Sequence, residues 1–417
     1  MAPKKPLLLN DVCVAIVDCE HKTAPVQPDG HPSIRTPNIG RGRLILDGVN
    51  RISDETYLHW TQRMEPHADD LILAREAPVG NVAIVPKNLK VCLGQRTVLI
   101  RPDQAKVVPG YLVYLLLGDE LQGRIHSQAN GATVHHLNMK DIRGLELPPL
   151  PSMEEQRRIA SILSAYDDLI ENNTRRIAIL EEMARRLYEE WFVRFRFPGH
   201  EGVRMVESEL GLVPEGWPVV AASQAIQINP TTKVPKDGLK PFLAMNCLSN
   251  GSMLIDNPSE RDGNSGAKFR NGDTLFARIT PCLENGKTGF VQFLPTDEAV
   301  AFGSTEFIVL RSRTLTPEFV YLLARSDPFR ENAIKSMSGA SGRQRVREAC
   351  FNTFFIANPD GGTLAKFEAM VRPMFKLIQS LAMKNQNLRT TRDLLLPKLI
   401  SGELDVSTLP EPQAETA

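Results

Sequence analysis

The chain repeats itself, and that repeat constrains its architecture more than any other feature. The string "DLILAREAPVGNVAIV" from Asp70 returns as "DTLFARITPCLENGKTGFV" from Asp273, so that Ala74-Arg75 answers Ala277-Arg278 at an offset of 203. Leu93-Gly94 answers Phe302-Gly303, and Pro109 of "VVPGYLVYLLLGD" answers Pro317 of "LTPEFVYLLARSD". A long apolar heptad pattern follows each copy. A period near 208 in 417 residues means a duplicated domain, not a solenoid of short repeats. Internal pseudo-two-fold symmetry follows, and a ligand or partner with similar symmetry is expected.

The two heptad patterns predict long helices. Stepping by four and three gives Ile159, Leu163, Tyr166, Ile170, Asn173, Ile177, Leu180, Ala184, Leu187 and Trp191, with only Asn173 polar. This is a coiled-coil type of seam. Ser152 with Glu155 forms a capping-box start after "LPPLP", and "FPGHEG" at 197–202 stops the helix. About 40 helical residues reach about 60 Å, so the element is read as a spacer. The second copy gives Leu364, Phe367, Val371, Met374, Ile378, Leu381, Asn385, Leu388, Arg392, Leu395 and Leu399. Asn173 and Asn385 either fix the register of a buried seam or sit exposed on a frayed edge. Pro373 should kink the second helix or mark its true start, and Pro397 should end or bend it. Neither helix can bury its seam alone, and an antiparallel pair solves this for both.

Residues 7–150 and about 203–357 alternate short β-rich runs such as "NVAIV", "RTVLI" and "EFIVL" with Gly/Pro/Asn/Asp loops. Short helices with proline near their start are expected at 109 and 317. The predicted class is α+β: two similar domains, each a curved, mostly antiparallel sheet with short helices, separated by two long antiparallel coiled-coil-like helices. The boundaries expected are 1–150 for the first domain, 151–197 for the central helix and 198–357 for the second domain. The C-terminal helix is expected over 358–405 and a flexible tail over 406–417.

Composition excludes several classes. The longest apolar run, Tyr111 to Leu117, is too short to span a membrane. "MAPKKPLLLN" lacks the apolar core of a signal peptide. Six scattered cysteines without a C-x-x-C pair argue against structural zinc and a disulfide framework. A reducing cytoplasm is the simple reading. Net charge is zero, whereas nucleic-acid binders usually show a basic excess; a balanced total can still hide a basic face.

Catalytic motifs are missing. No Gly-rich cofactor loop occurs, and "NPTT", "NPSE", "NPDG" and "DPFR" lack the second proline of a methyltransferase N/D-P-P-Y/F turn. "NGKTGF" contains Gly-Lys-Thr, but a Walker loop needs another glycine where Pro281 stands, so a hairpin turn is expected. No metal site is expected. The adjacent pair His135-His136 faces different ways and suits polar surface or phosphate contact better than ligation.

Candidate DNA-facing residues are cations near loops. Arg343, Arg345 and Arg347 follow a Gly-rich turn in "SGASGRQRVRE", where guanidinium groups suit phosphate and guanine contacts. A solvated turn is the plainer reading. The first copy carries His135, His136 and Lys140 there. Arg35, Arg41 and Arg43 are weaker candidates. Arg75 and Arg278 recur at equivalent strand positions, as readily for a structural role as for DNA.

The helical strings carry a family resemblance. "LPPLPSMEEQRRIASILSAYDDLIENNTRRIAILEEMARRLYEEWF" resembles the central conserved region of the DNA-specificity (S) subunits of Type I restriction–modification systems. "NQNLRTTRDLLLPKLISGEL" is similar to the closing motif of that family, and "LGLVPEGWPVV" to the lead-in of its second recognition domain. The resemblance covers essentially the whole chain. It implies two target recognition domains, each reading one half of a split duplex-DNA site, and helices that set the gap and bind two modification subunits. It implies no catalytic residue and no cofactor in this chain. S-adenosylmethionine for adenine methylation, and ATP with Mg²⁺ on a translocase/nuclease subunit where one exists, would sit on partners in a prokaryotic cytoplasm. Two rivals are a structural adaptor with no DNA role and a self-contained DNA-modifying enzyme.

Overall fold

Leu71–Ala74 is buried at all four positions and Thr97–Pro102 at five of six, as strands covered on both faces must be. They lie at the centre of the first of two units into which the computed structural model divides. That unit comprises Met1–Ile170 with Asn387–Ala417, and the second comprises Glu171–Gln386; residues 5–129 and 136–410 are described.

In the first unit one sheet runs Cys13–Asp18, Thr97–Pro102, Leu71–Ala74, Val82–Ile84 and Gly42–Arg43. It is antiparallel except at the Gly42–Arg43 edge. A small second sheet orders Arg51–Ile52, His31–Ile34 and Cys92–Leu93, the last pair parallel. Side chains alternate across the larger sheet. Leu71, Leu73, Val98 and Ile100 pack with the helix Pro109–Leu117. Ile72, Ala74 and Leu99 pack with Ile34 and Leu93 of the small sheet.

The second unit repeats the plan. One antiparallel sheet orders Ile226–Ile228, Phe307–Ser312, Thr274–Ala277 and Thr288–Phe290. The other orders Ser259–Arg261, Lys240–Leu243, Val300–Gly303 and Ala267–Arg270, again with one parallel pair. Phe276, Ile308 and Leu310 face the helices, while Leu275, Phe307 and Val309 face the second sheet. The class is α+β, with two main sheets in each unit, beside small two-stranded ones, where the sequence suggested one. "NGKTGF" enters the strand Thr288–Phe290 instead of a helix, which leaves no phosphate loop there.

Pairing registers correct the repeat by one residue. Ala74 pairs with Thr97, and Ala277 with Phe307. Leu93 therefore corresponds to Gly303, not to Phe302. A Cβ on Gly94 would come 2.8 Å from the Ile34 carbonyl oxygen, and one on Gly303 would come 2.6 Å from that of Leu243. The two glycines mark equally close approaches in neighbouring registers.

The first long helix is Met153–Tyr188. Ser152 Oγ accepts from Glu155 N–H at 3.3 Å, and Glu155 accepts from Ser152 N–H at 2.9 Å, which completes the capping box. A π-helical turn, Glu189–Val193, ends the helix and buries the consecutive aromatics Trp191 and Phe192. The second long helix is Gly361–Ile400, started by Asp360 accepting from Thr363 N–H at 2.9 Å.

Pro373 does not mark the start of this helix, and Pro397 does not end it. The helix begins twelve residues before Pro373 and runs through both Pro373 and Pro397. Pro373, Pro397 and Ala369 are all exposed. The carbonyl of Ala369 that loses its partner therefore stays open to water.

Within the first unit, Ile159 and Leu163 share a core with Leu399 and Val406. Burial then falls on Asp167, while Tyr166 and Ile170 are half-buried. Within the second unit, Ile177, Leu180, Leu187 and Trp191 meet Ile378 and Leu381. Asn173 donates to Asn385 Oδ1 at 2.9 Å, and Asn385, 2% exposed, donates to Thr174 Oγ1 at 3.2 Å. Asn385 is thus a buried seam residue, not a frayed edge; Leu388 is half-buried. In each unit the helical segments run antiparallel: Asp167 meets Arg392 in the first, and Trp191 meets Phe367 in the second.

The helices are therefore not separate domains. Each seam completes the core of its own unit, and the chain passes between the two compact units at 170/171 and 386/387. The tail expected over 406–417 does not begin at 406: Val406 is 4% exposed in the first unit's core. Residues 411–417 lie outside the described residues.

Candidate nucleic-acid interface

In each unit three loops converge at one end of the helix-facing sheet. Arg75 N–H donates to the Arg96 carbonyl at 2.9 Å, and Leu137 N–H donates to the Arg75 carbonyl at 3.2 Å. In the second unit Arg278 N–H donates to Glu306 at 3.0 Å, and Val346 N–H donates to Arg278 at 2.9 Å. The backbone thus pairs Arg75 with Arg278, Arg96 with Glu306, and His136 with Arg345.

Below these loops lies a duplicated ion pair that sequence reasoning missed. Arg101 donates to both carboxylate oxygens of Asp70 at 2.8 and 2.7 Å. Arg311 does the same to Asp273 at 2.7 Å for each bond. Each aspartate also accepts a backbone N–H, from His67 at 2.8 Å and from Arg270 at 2.9 Å. The aspartates are 2% and 1% exposed, so the fork geometry matters. The signal was in the repeat, because Asp70 and Asp273 open the matching strings.

The first unit's candidates are mostly engaged in structure. Arg75 Nη1 donates to both oxygens of Asp18 at 2.8 and 2.7 Å. Arg75 Nη2 lies 2.8 Å from His136 Nε2, and His136 Nδ1 lies 2.8 Å from Glu76 Oε1. This assigns the His136 hydrogen to Nδ1, donated to Glu76, with Nε2 accepting from Arg75. Arg96 closes the chain on Glu76 at 2.9 Å. Arg41 caps the end of Pro109–Leu117 through the Leu117 carbonyl at 3.2 Å, and Arg43 is ion-paired with Asp168. Arg35 and Lys140 are exposed, with no side-chain partner among the described residues. His135 lies outside the described residues. Asp18, Cys19 and His21 bring ligand atoms within 4.8 Å of one another, but the Asp18 carboxylate already holds Arg75.

In the second unit, Arg345 is bonded to the Glu306 carboxylate at 2.7–3.1 Å. Arg347 donates to Ser338 Oγ at 2.8 Å. Arg343, directly after Gly342 in the turn, is exposed with no side-chain partner among the described residues. Of the three arginines singled out in sequence, one is free and two brace the turn.

Two copies of one frame, carrying different polar groups on the same three loops, define a protein with two related binding heads. Residues 20–182 match the family model described as Type I restriction modification DNA specificity domain. The chain is 27% identical to the MjaIX specificity subunit of Methanocaldococcus jannaschii, over 88% of this chain and 84% of that one. It is 22% identical to the HindI specificity subunit of Haemophilus influenzae, over 73% and 80%. A crystal structure of a Type I restriction–modification S subunit from M. genitalium shares the fold, with a TM-score of 0.57 at 14% identity over 95% of both chains. Residues 20–182 thus match a Type I DNA-specificity domain, and the chain is similar over most of its length to Type I specificity subunits.

Among the described residues, no helix is long and apolar enough to cross a membrane.

Proposed function

We propose that this chain reads a bipartite duplex-DNA target and positions methyltransferase subunits on it. The observation that carries the reading is the contrast within the repeat. The Arg–Asp clamps and sheet registers are the same in both units. The loops above them differ, with His136 and Glu76 in one against Arg345 and Glu306 in the other. A frame held constant under varied loops suits two readers of two different half-sites.

The chemistry of the modification reaction belongs to partners in this reading. Two modification subunits would carry S-adenosylmethionine, and ATP with Mg²⁺ would belong to a translocase/nuclease subunit. This chain would contribute no catalytic group and would act in the prokaryotic cytoplasm, where the DNA is. Arg343, Arg35 and Lys140, which have no side-chain partner among the described residues, are the foremost candidate contacts of the original set.

Exchanging residues 7–150 for those of a relative tests the reading in a host whose methylated motif is sequenced. One half of the motif should change. A change in both halves, or in neither, would show that the units are not separate readers. Absence of salt-dependent binding to duplex DNA by the chain with its methyltransferase partners would favour a protein adaptor instead. A seven-residue insertion after Ile170 keeps the heptad register and tests whether helix length sets the gap within the target.

A further inference from the structure

The equivalent arginines Arg75 and Arg278 sit in opposite surroundings. Arg75 is closed off by the carboxylate of Asp18, and its side chain is 6% exposed. Asp18 lies across the sheet from Val98, next to the Thr97 that pairs with Ala74. In the second unit Ile228 pairs with Leu310, and Asn229 N–H continues the ladder to the Val309 carbonyl at 2.8 Å. The strand ends at Ile228, and the chain turns at Asn229, whose φ is 48°. Two residues past Ile228, where the register would call for the counterpart of Asp18, the sequence carries Pro230, which lines the same cleft as Arg278.

Arg278 is left with weaker partners. Glu348 is 3.3 Å from its Nη1, the Val346 carbonyl is 3.4 Å from its Nη2, and its buried Nε has no hydrogen-bond partner among the described residues. Its side chain is 27% exposed and lines an open cleft of about 440 Å³ with Asn229, Thr231, Thr232, Lys268 and Thr305. Lys268 is half-buried and has no ion pair among the described residues. No carboxylate is among the described residues lining this cleft. Of the neighbouring acids, Glu306 is held by Arg345.

We propose that this cleft holds a DNA backbone phosphate, with Arg278 and Lys268 as the cations and the Thr231 and Thr305 hydroxyls as further donors. The proposal rests on the DNA-reading function above. Two cations and exposed hydroxyls around a concave, carboxylate-free wall are the donor set that phosphate oxygens take. The first unit has no such site at the matching position, because Asp18 neutralises Arg75 there.

The test measures binding of the full chain, assembled with its methyltransferase subunits, to its target duplex across a salt series. Each phosphate contact contributes about 0.9 to the slope of log affinity against log salt. Arg278→Gln and Lys268→Gln should each lower the slope by about that amount, which is about an eightfold loss of affinity at 0.1 M salt. The methylated motif should be unchanged. Pro230→Asp, which puts a carboxylate on the cleft wall shared with Arg278, should reproduce the loss seen for Arg278→Gln. Unchanged slopes in variants with native thermal unfolding would overturn the proposal. So would an unchanged slope with relaxed choice at one base pair, because that outcome makes Arg278 a base reader. Lys268→Gln removes no internal bond and keeps the test open if Arg278→Gln unfolds. A wild-type complex without salt-dependent DNA binding would instead refute the DNA reading itself.

Discussion

The two units share a buried frame and differ at its rim. Both have the helix-facing sheet, the parallel strand pair in the second sheet and the Arg–Asp clamp at one strand end. At the rim, one arginine is locked by Asp18 and His136, while its counterpart faces an open cleft. The helix contacts differ as well. The first unit meets its helix with aliphatic residues and the triad Tyr114, Asp167 and Arg392. The second uses a cluster of rings in which Phe192 packs 4.6 Å from Phe319 and 4.8 Å from Phe367. What duplication preserved is what holds a sheet together; what diverged is what a ligand would touch.

The largest expected effect tests the shared frame. Removing a buried carboxylate from its arginine strands a cation and costs about 3–5 kcal/mol. Asp70→Ala and Asp273→Ala should therefore destabilise their own units by similar amounts, read by amide hydrogen exchange within each unit. A large loss in one unit and none in the other would break the claim that the clamp is a common structural part.

Much of this frame was legible in the sequence, for identifiable reasons. Burial on a helix follows its 3.6-residue period, so Ile159, Leu163, Ile378 and Leu381 were readable from spacing. Asp167 was not, because stepping by three from Leu163 chose Tyr166, and nothing local announces a carboxylate paired with Arg392 across 225 positions. Phe192 was missed because a π-helical turn shifts the face. The clamp aspartates open the matching strings, but their partners lie 31 and 38 positions away. Candidate contacts were the least legible. Arg343, Arg345 and Arg347 look alike in sequence, and only folding gives Arg345 to Glu306 and leaves Arg343 in solvent.

The next effect separates the two rims. Arg75→Gln leaves the Asp18 carboxylate without its guanidinium partner and should lower first-unit stability by about 2–3 kcal/mol. Arg278→Gln removes only long contacts from a partly exposed group and should cost below about 1 kcal/mol. Chemical denaturation of both variants checks this. Equal losses would mean that Arg278 is as structural as Arg75 and would erase the contrast between the rims.

A smaller effect comes from the helix contacts. Asp167 accepts from the Tyr114 hydroxyl at 2.6 Å and holds Arg392. Asp167→Asn keeps the shape but removes the charge that faces Arg392. A loss of about 1.5–2.5 kcal/mol is expected, confined to exchange protection in the first unit.

The smallest effect has the opposite sign, and it sharpens the comparison most. Glu181 is the second unit's buried helix carboxylate, and its direct partners are neutral. Ser252 Oγ donates to it at 2.7 Å and Met253 N–H at 2.6 Å. Burial pushes its carboxyl above the ordinary glutamate range, against the hydrogen bonds and the more distant Arg325. The folded state then holds this proton more tightly than the unfolded chain does. Its contribution to stability is full below the unfolded value and declines as pH rises through the folded one. Glu181→Gln keeps an oxygen for both donors and removes the titration. The variant should match or exceed the wild type by up to about 1 kcal/mol at neutral pH, with a flatter stability profile above about pH 4. Denaturation midpoints across that range decide the matter. A clear loss at neutral pH would show that the charge of Glu181 is used, and would make it the second unit's counterpart of Asp167 instead of its contrast.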